Sequence, residues 1–336
     1  MKAIQVRAPG GYDHIETIEM ADPGAPGAGE IRVRLHASSL NFHDYSVVAL
    51  GRLGSAPARI PMADGAGVVE AIGAGVSEFA VGDHVVSTFY PDWLAGAPNV
   101  VGFGRVPGDG LDGYAREAVV TPATWFTRAP QGWSHAEAAT ITTAGVTAWR
   151  ALVVDGWIKA GDVVLVMGTG GVSICALQMA KAMGATVVAT SSSDEKLERV
   201  RALGADHLIN YRSEPEWGAK VMALTGGRGA DIVVEVGGAG TLAQSIGAVA
   251  MGGHIAMIGV LTGPVGQVPT AMLMGKQATV KGIIVGSRTH QQDMVRGMEA
   301  TGIRPVIDKS FPLERIGDAF CHEESGAHLG KIVLEW

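Results

Sequence analysis

The stretch 163-VVLVMGTGGVSICALQMAKAMGATVVATSSSDEKLERVRALGADHLINY-211 decides the fold. Its first five residues are apolar, long enough for a strand buried on both faces and too short for a helix. Gly168, Gly170 and Gly171 then form a tight turn in which backbone amides can approach a phosphate with no side chain in the way. Ile174 to Met183 resumes with helical spacing, Gly184 stops it, and Thr186 to Thr190 reads as a second buried strand. Strand, glycine turn, helix and strand make a dinucleotide-binding unit, with the pyrophosphate expected on Gly168, Thr169, Gly170, Gly171 and Val172 at the helix N-terminus. Where the fingerprint usually has a third glycine stands Ser173, small enough to keep the helix close to the strand. The alternative is a glycine turn in another doubly wound protein, such as a methyltransferase binding S-adenosylmethionine.

The end of the second strand bears on the cofactor. An NAD-binding unit places an acid about 20 residues past the glycines, where it accepts the ribose hydroxyls. Here Ser191, Ser192 and Ser193 stand there, followed by Asp194 and Glu195 in the first turn of the next helix and then Lys196. Tyr211 and Arg212 close the third strand. Hydroxyls beside a cation suit a ribose 2′-phosphate, so the expected cofactor is NADP(H), with NAD(H) as the alternative. On the competing reading Ser193 only caps a helix and Lys196 is a solvated charge.

The composition excludes several classes. A chain of 336 residues can hold two domains, and 47% apolar with 18% charged residues describes a globular protein with a large interior. A net charge of −7 argues against nucleic acid or an anionic membrane as partner. No apolar run reaches spanning length and MKAIQVRAPGG lacks the apolar core of a signal peptide, so a cytoplasmic location is expected. Cys175 and Cys321 cannot make a cysteine-rich zinc site, and no structural disulfide is expected between them.

Ahead of the glycine unit, residues 1–127 read as strands with turn punctuation, interrupted by NFHDYSVVALG, a short helix capped by Asn41 and ended by Gly51. Residues 91–113 have little periodicity and read as a long loop that serves a site or an interface. The pattern turns helical from His135. Beyond Tyr211, helix 217–224, strand DIVVEV, helix 241–250, strand GGHIAMIG, a loop over 261–277 and strand ATVKGIIVG complete a six-stranded doubly wound sheet. The tail from Ser287 then returns to finish the first domain, ending in the strand KIVLEW.

Five segments together carry a resemblance over the whole length: NFHDYSVVALG (41–51), GAGVVEAIGAGVSEFAVGDHV (65–85), AGVTAWRAL (144–152), GTGGVSICALQMAK (168–181) and LGADHLINY (203–211). In them the chain resembles the medium-chain dehydrogenase/reductase superfamily, and within it the zinc-independent quinone oxidoreductase branch. The resemblance implies an α/β protein: a GroES-like β domain from residues 1–127 and 288–336, and a Rossmann doubly wound parallel sheet from 128–287. It also implies a nicotinamide in the cleft between them, with Val236, Gly237, Ile258, Gly259, Val260, Val285 and Gly286 as further cofactor contacts and Lys331 near a phosphate.

Zinc-dependent relatives hold the metal through a cysteine, a histidine and a second cysteine or acid. The matching positions here are Asn41, Ala63 and Thr140, and 91–113 contains no cysteine for a structural zinc lobe, so no zinc is expected. His36, His43 and His84 share no helix face and are read as surface or core residues. Without a Lewis acid, reduction of a quinone or a carbonyl-conjugated alkene is the favoured chemistry. The resemblance puts Asn41 and Tyr45 beside the nicotinamide ribose and substrate, with the Tyr45 hydroxyl as hydrogen-bond or proton donor. The alternatives are helix packing for Tyr45 and capping alone for Asn41. Phe89, Tyr90 and Trp93 are expected to line the pocket for a flat small-molecule substrate. A zinc-free alcohol dehydrogenase or aldehyde reductase, and a non-catalytic NADPH-binding protein, stay open. The sixth strand, 279–285, should lie at the sheet edge and pair with a second copy in a homodimer.

Overall fold

The computed structural model describes residues 1–53, 56–100 and 102–336. It falls into two compact units, Met1–Val146 with Val285–Trp336, and Thr147–Ile284.

The second unit holds a parallel six-stranded sheet in the order His207–Asn210, Thr186–Ser191, Val163–Met167, Ala230–Glu235, Val249–Met257, Thr279–Gly282. Val163–Met167 is central because every one of its residues is apolar and buried, which only a position flanked by strands and covered on both faces satisfies. Each fully buried Leu165, Val188, Val233 or Ile255 contributes about 1.5–3 kcal/mol. The strand order reverses beside Val163–Met167, so the glycine turn at its carboxyl end sits at the topological switch point. Ser173 keeps the helix Gly171–Ala182 against the strand as expected, and also ties it there, its hydroxyl donating to the Met167 carbonyl at 2.6 Å.

Four local expectations change. The sixth strand stops at Gly282 rather than running to Val285. The third strand ends at Asn210, leaving Tyr211 just beyond it and exposed. The fifth strand begins earlier, at Val249. The segment 261–277 contains a helix, Thr270–Lys276, none of whose residues is buried.

In the first unit a sheet runs Ile307–Pro312, Lys331–Glu335, Glu30–Ser39, Ala66–Ile72, His84–Ser87, Phe126–Arg128, with Ala118–Pro122 also paired to Glu30–Ser39. The C-terminal strand therefore does return to this unit, antiparallel to Glu30–Ser39 with Val333 opposite Ser39. That register, continued by Leu40 N–H donating to the Ile332 carbonyl at 3.0 Å, brings Lys331 beside the start of the helix Phe42–Val48.

The helical stretch starts at a Ser134–Glu137 capping box and passes through two π turns, Ile141–Gly145 and Arg150–Val154. Its first segment, His135–Ala139, packs on Glu30–Ser39, Ala66–Ile72 and His84–Ser87. Residues 128–146 thus go with the first unit, and the boundary falls inside the helical stretch rather than before it. Residues 91–113 form no helix or strand among those described, Val101 lying outside them. Neither cysteine is in a disulfide, and no helix among the described residues is long and apolar enough to cross a membrane.

Candidate functional site

In the second unit the helix Gly171–Ala182 begins at Gly170 with no side-chain cap. Its first amides are left for an outside acceptor, and the dipole favours an anion there. Gly168 adopts φ +72, and a Cβ built on Gly168 or Gly170 meets nothing within 4 Å. This cradle of bare backbone, with Thr169, Gly171 and Val172 around it, fits a pyrophosphate. Ser191 is buried and Ser192 half-buried at the end of Thr186–Ser191, Ser193 caps the helix Asp194–Ala202 through Lys196 N–H, and Lys196 is the third residue of that helix, after Asp194 and Glu195. The nearest acid, Asp194, accepts from Asn210 Nδ2 at 2.7 Å.

The turns after the fourth and fifth strands are held by Glu235. Its Oε1 accepts from Gly237 N–H at 2.7 Å, Gly238 N–H at 3.0 Å and Thr241 Oγ1 at 2.7 Å, and its Oε2 from the Ser245 hydroxyl. Gly259 packs so tightly on this turn that a Cβ would lie 1.9 Å from the Val236 carbonyl oxygen. Ile258 is half-buried and Val260 exposed.

In the first unit a polar cluster lies beneath the helix Phe42–Val48. Asn41 caps that helix in a capping box with Asp44, its Nδ2 donating to Asp44 Oδ2 at 3.0 Å and Asp64 Oδ2 at 2.8 Å. Its Oδ1 accepts from Lys331 Nζ at 2.5 Å, and that ammonium also donates to the Leu40 carbonyl. Asp64 further accepts from Ser39 Oγ at 2.6 Å and Thr143 Oγ1 at 2.6 Å, and Asp44 from Ala63 N–H at 2.9 Å. Burial raises the Asp64 carboxyl, with the Lys331 ammonium opposing. Burial also lifts Glu323, on the helix Ile316–Glu324, to about 7, against the same ammonium.

Lys331 is thus buried against Asn41, and the Asn41 amide is committed at both ends. The Tyr45 hydroxyl donates to Glu324 at 3.1 Å, an acceptor it shares with Tyr12. Val285 is buried at φ +45, and Gly286 lies where a Cβ would meet Val146 Cγ1 at 2.7 Å. Phe89, Tyr90 and Trp93 are all buried, with Phe89 edge-on to Tyr90 at 4.9 Å. It is His43 that meets Phe89, at 5.1 Å. His36 and His84 stack on His135 at 4.8 and 4.6 Å and do not surround a common point with His43.

Sequence reasoning missed Asp64, Glu323 and Glu235, and set His43 aside. Asp64 and Lys331 lie 23 and 290 residues from the Asn41 they touch, so no local spacing announces them.

The alcohol dehydrogenase GroES-like domain matches residues 27–131 and the zinc-binding dehydrogenase family matches residues 171–300. A zinc-type alcohol dehydrogenase-like protein of Schizosaccharomyces pombe is 40% identical over 339 residues, 97% of this chain and 96% of its own. Among solved structures, an NAD-dependent alcohol dehydrogenase is similar at 36% identity and TM-score 0.89, with 100% of both chains covered. Crotonyl-CoA carboxylase/reductase AntE in complex with NADP is similar at 25% identity and TM-score 0.89, with 100% of this chain and 94% of its own covered.

The zinc in one family description does not fit the residues here. Ala63 offers no donor atom, the Asn41 amide is spent on Asp44, Asp64 and Lys331, and Thr140 Oγ1 donates to the Glu137 carbonyl at 2.7 Å. Among the described residues no group of three His, Cys, Asp or Glu is arranged to hold a metal ion.

Proposed function

Because the chain belongs to the medium-chain dehydrogenase/reductase superfamily, we propose that it is an NADP(H)-dependent oxidoreductase that passes hydride to a quinone or a carbonyl-conjugated alkene without zinc. The observation that carries the reading is the cluster of Asn41, Asp44, Asp64 and Lys331, in which the buried carboxylates find an internal ammonium and amide donors. A cluster whose carboxylates, amide and ammonium are committed to one another leaves the acceptor to spread developing charge onto its own carbonyl or quinone oxygen.

NADPH, when bound, supplies the hydride. Gly168, Thr169, Gly170, Gly171 and Val172 would hold its pyrophosphate, and Ser191, Ser192, Lys196 and Tyr211 its 2′-phosphate. The turns at Val236, Gly237, Ile258, Gly259 and Val260 would carry the nicotinamide half. One feature favours the phosphate over free ribose hydroxyls: no carboxylate ends the strand Thr186–Ser191. The NADP-bound relative agrees, while the NAD-dependent alcohol dehydrogenase is the counterweight. Tyr45, held by Glu324, or water supplies the proton, and Phe89, Tyr90 and Trp93 shape the acceptor side.

The names of the relatives favour a second reading, a zinc-free alcohol dehydrogenase or aldehyde reductase. Oxidation of NADPH and of NADH should be followed with a benzoquinone, a naphthoquinone, an enone and an aromatic aldehyde, with and without a chelator and after elemental analysis for zinc. Quinone or enone turnover, indifferent to the chelator and at least about tenfold better with NADPH in kcat/KM, is expected. Turnover of the aldehyde alone moves the second reading ahead. Stoichiometric zinc overturns the metal-free reading, and silence with NADPH bound favours a binding protein without turnover.

A cytoplasmic homodimer belongs to the same proposal. Thr279–Gly282 closes one edge of the sheet, and the same unit exposes Val260, Leu261, Val265, Met272 and Met274. The edge strand itself, TVKG, is short and mostly polar, and the exposed apolar side chains lie outside it; a second copy that extends the sheet would pair the open edge. Light scattering should give twice the chain mass, and a monomer at micromolar concentration removes the proposal.

A further inference from the structure

His43 is buried, its Nε2 3.3 Å from Asp109 Oδ2 and its Nδ1 3.6 Å from Asp44 Oδ1. Nδ1 is enclosed without a hydrogen-bond partner among the described residues. Asp44 cannot swing closer, because its two oxygens are fixed by the backbone N–H groups of Asn41 and Ala63 and by the Asn41 amide. Asp109 belongs to the loop that follows Phe103, in which its N–H donates to the Val106 carbonyl at 3.2 Å. The imidazole also packs edge-on against Phe89 at 5.1 Å and tilted against Phe103 at 5.2 Å, the two phenyl rings being perpendicular at 6.4 Å. One ring therefore touches the helix that carries Asn41, the wall that carries Phe89, and the loop that carries Asp109.

We propose that His43 is a positioning residue for acceptor binding: as an imidazolium bridging Asp44 and Asp109, it clasps the loop 102–111 to the helix Phe42–Val48 and fixes Phe89 against Phe103. The effect on acceptor binding rests on the hydride-transfer reading above, while the effect on the loop stands without it. The charged groups facing the ring are Asp44 from its own helix and Asp109 from the loop, and the other ring contacts, Phe89 and Phe103, are uncharged. Burial works against the imidazolium, but Asp109 and Asp44 outweigh it and lift His43 to about 9. A histidine raised in this way stabilises fully below its unfolded value of about 6.5 and loses that contribution as pH rises through the folded one. The clasp is closed at neutral pH and opens in alkali.

The test compares wild type with His43→Gln and Asp109→Asn, reading acceptor KM against kcat from about pH 7 to 10 and, without any substrate, tryptic cleavage after the exposed Arg105. Trypsin activity at each pH is normalised on a small peptide substrate. Both variants should raise acceptor KM by about tenfold with kcat reduced less than about threefold, and cleave about fivefold faster at neutral pH. Wild type should approach the variants as pH passes about 9, and His43→Gln should show no such rise. Asp109→Asn keeps His43 and Asp44 in place, so it reads the clasp even where His43→Gln fails to fold. Wild-type cleavage in a folded variant, or an alkaline rise that persists in His43→Gln, overturns the proposal. If no acceptor turns over, the hydride-transfer reading fails, yet faster cleavage still upholds the clasp and unchanged cleavage sinks it.

Discussion

Gly170→Val is expected to raise the dissociation constant for NADPH by about a hundredfold or more while leaving the fold intact, a loss of about 2.7 kcal/mol or more in binding. Most glycines in tight turns cannot separate those two effects, because their φ is positive or their Cβ would strike backbone. Gly170 has φ −78 and ψ −178, an extended conformation open to valine, and a Cβ there meets no protein atom within 4 Å. The new side chain would fill the space in front of the uncapped amides of Gly171–Ala182, where a pyrophosphate must approach. Calorimetric titration with NADPH, paired with a melting curve, checks this. Binding within about threefold of wild type would mean that the phosphates do not sit on this helix, and the dinucleotide reading of the turn would fall with it.

That prediction could be framed from sequence because the turn is local. Its strand, glycines and helix lie within a short stretch of chain, and a parallel strand buried on both faces announces itself as an unbroken apolar run. The return of KIVLEW to the first unit was legible for another reason: with six strands already completing the dinucleotide sheet, the tail had only the first unit left to pair with. The helix Thr270–Lys276 was not legible for a matching reason: none of its residues is buried, so no apolar stripe repeats along it. The boundary between the units was misplaced because a helical pattern shows where a helix starts, not which sheet it packs on. Asp64, Glu323 and His43 depend on contacts across the fold, and a lone acid in PMADGAG or a lone histidine in NFHDY carries no periodicity to interpret. The geometry also redirects two residues. Lys331 is held by Asn41 and the Leu40 carbonyl, and Tyr45 by Glu324, so each has a partner that the resemblance did not imply.

Lys331→Met should destabilise the protein by about 3–5 kcal/mol at pH 8, the usual cost of removing one partner from buried opposite charges. Lys331 is buried, and its ammonium opposes the cost of burying both Asp64 and Glu323. Methionine matches the stem of lysine in length, so cavity formation adds little and the loss is electrostatic. The pH dependence identifies the cause. An acid whose folded pKa is raised, as burial does for Glu323 to about 7, holds its proton in the fold after the unfolded chain has released it. Its favourable contribution is therefore present at low pH and lost as pH rises through the folded value. Without the ammonium both carboxyls rise further, so the deficit of Lys331→Met should be largest above about pH 8 and shrink toward pH 5, where neutral acids need no counter-charge. Adding Glu323→Gln should recover part of the loss at pH 8 and almost none at pH 5, an interaction that a double-mutant cycle on denaturation curves measures directly. The competing role makes the opposite forecast: a lysine that reads a cofactor phosphate would weaken NADPH binding in a salt-dependent way and leave the melting curve of the protein alone almost untouched at every pH.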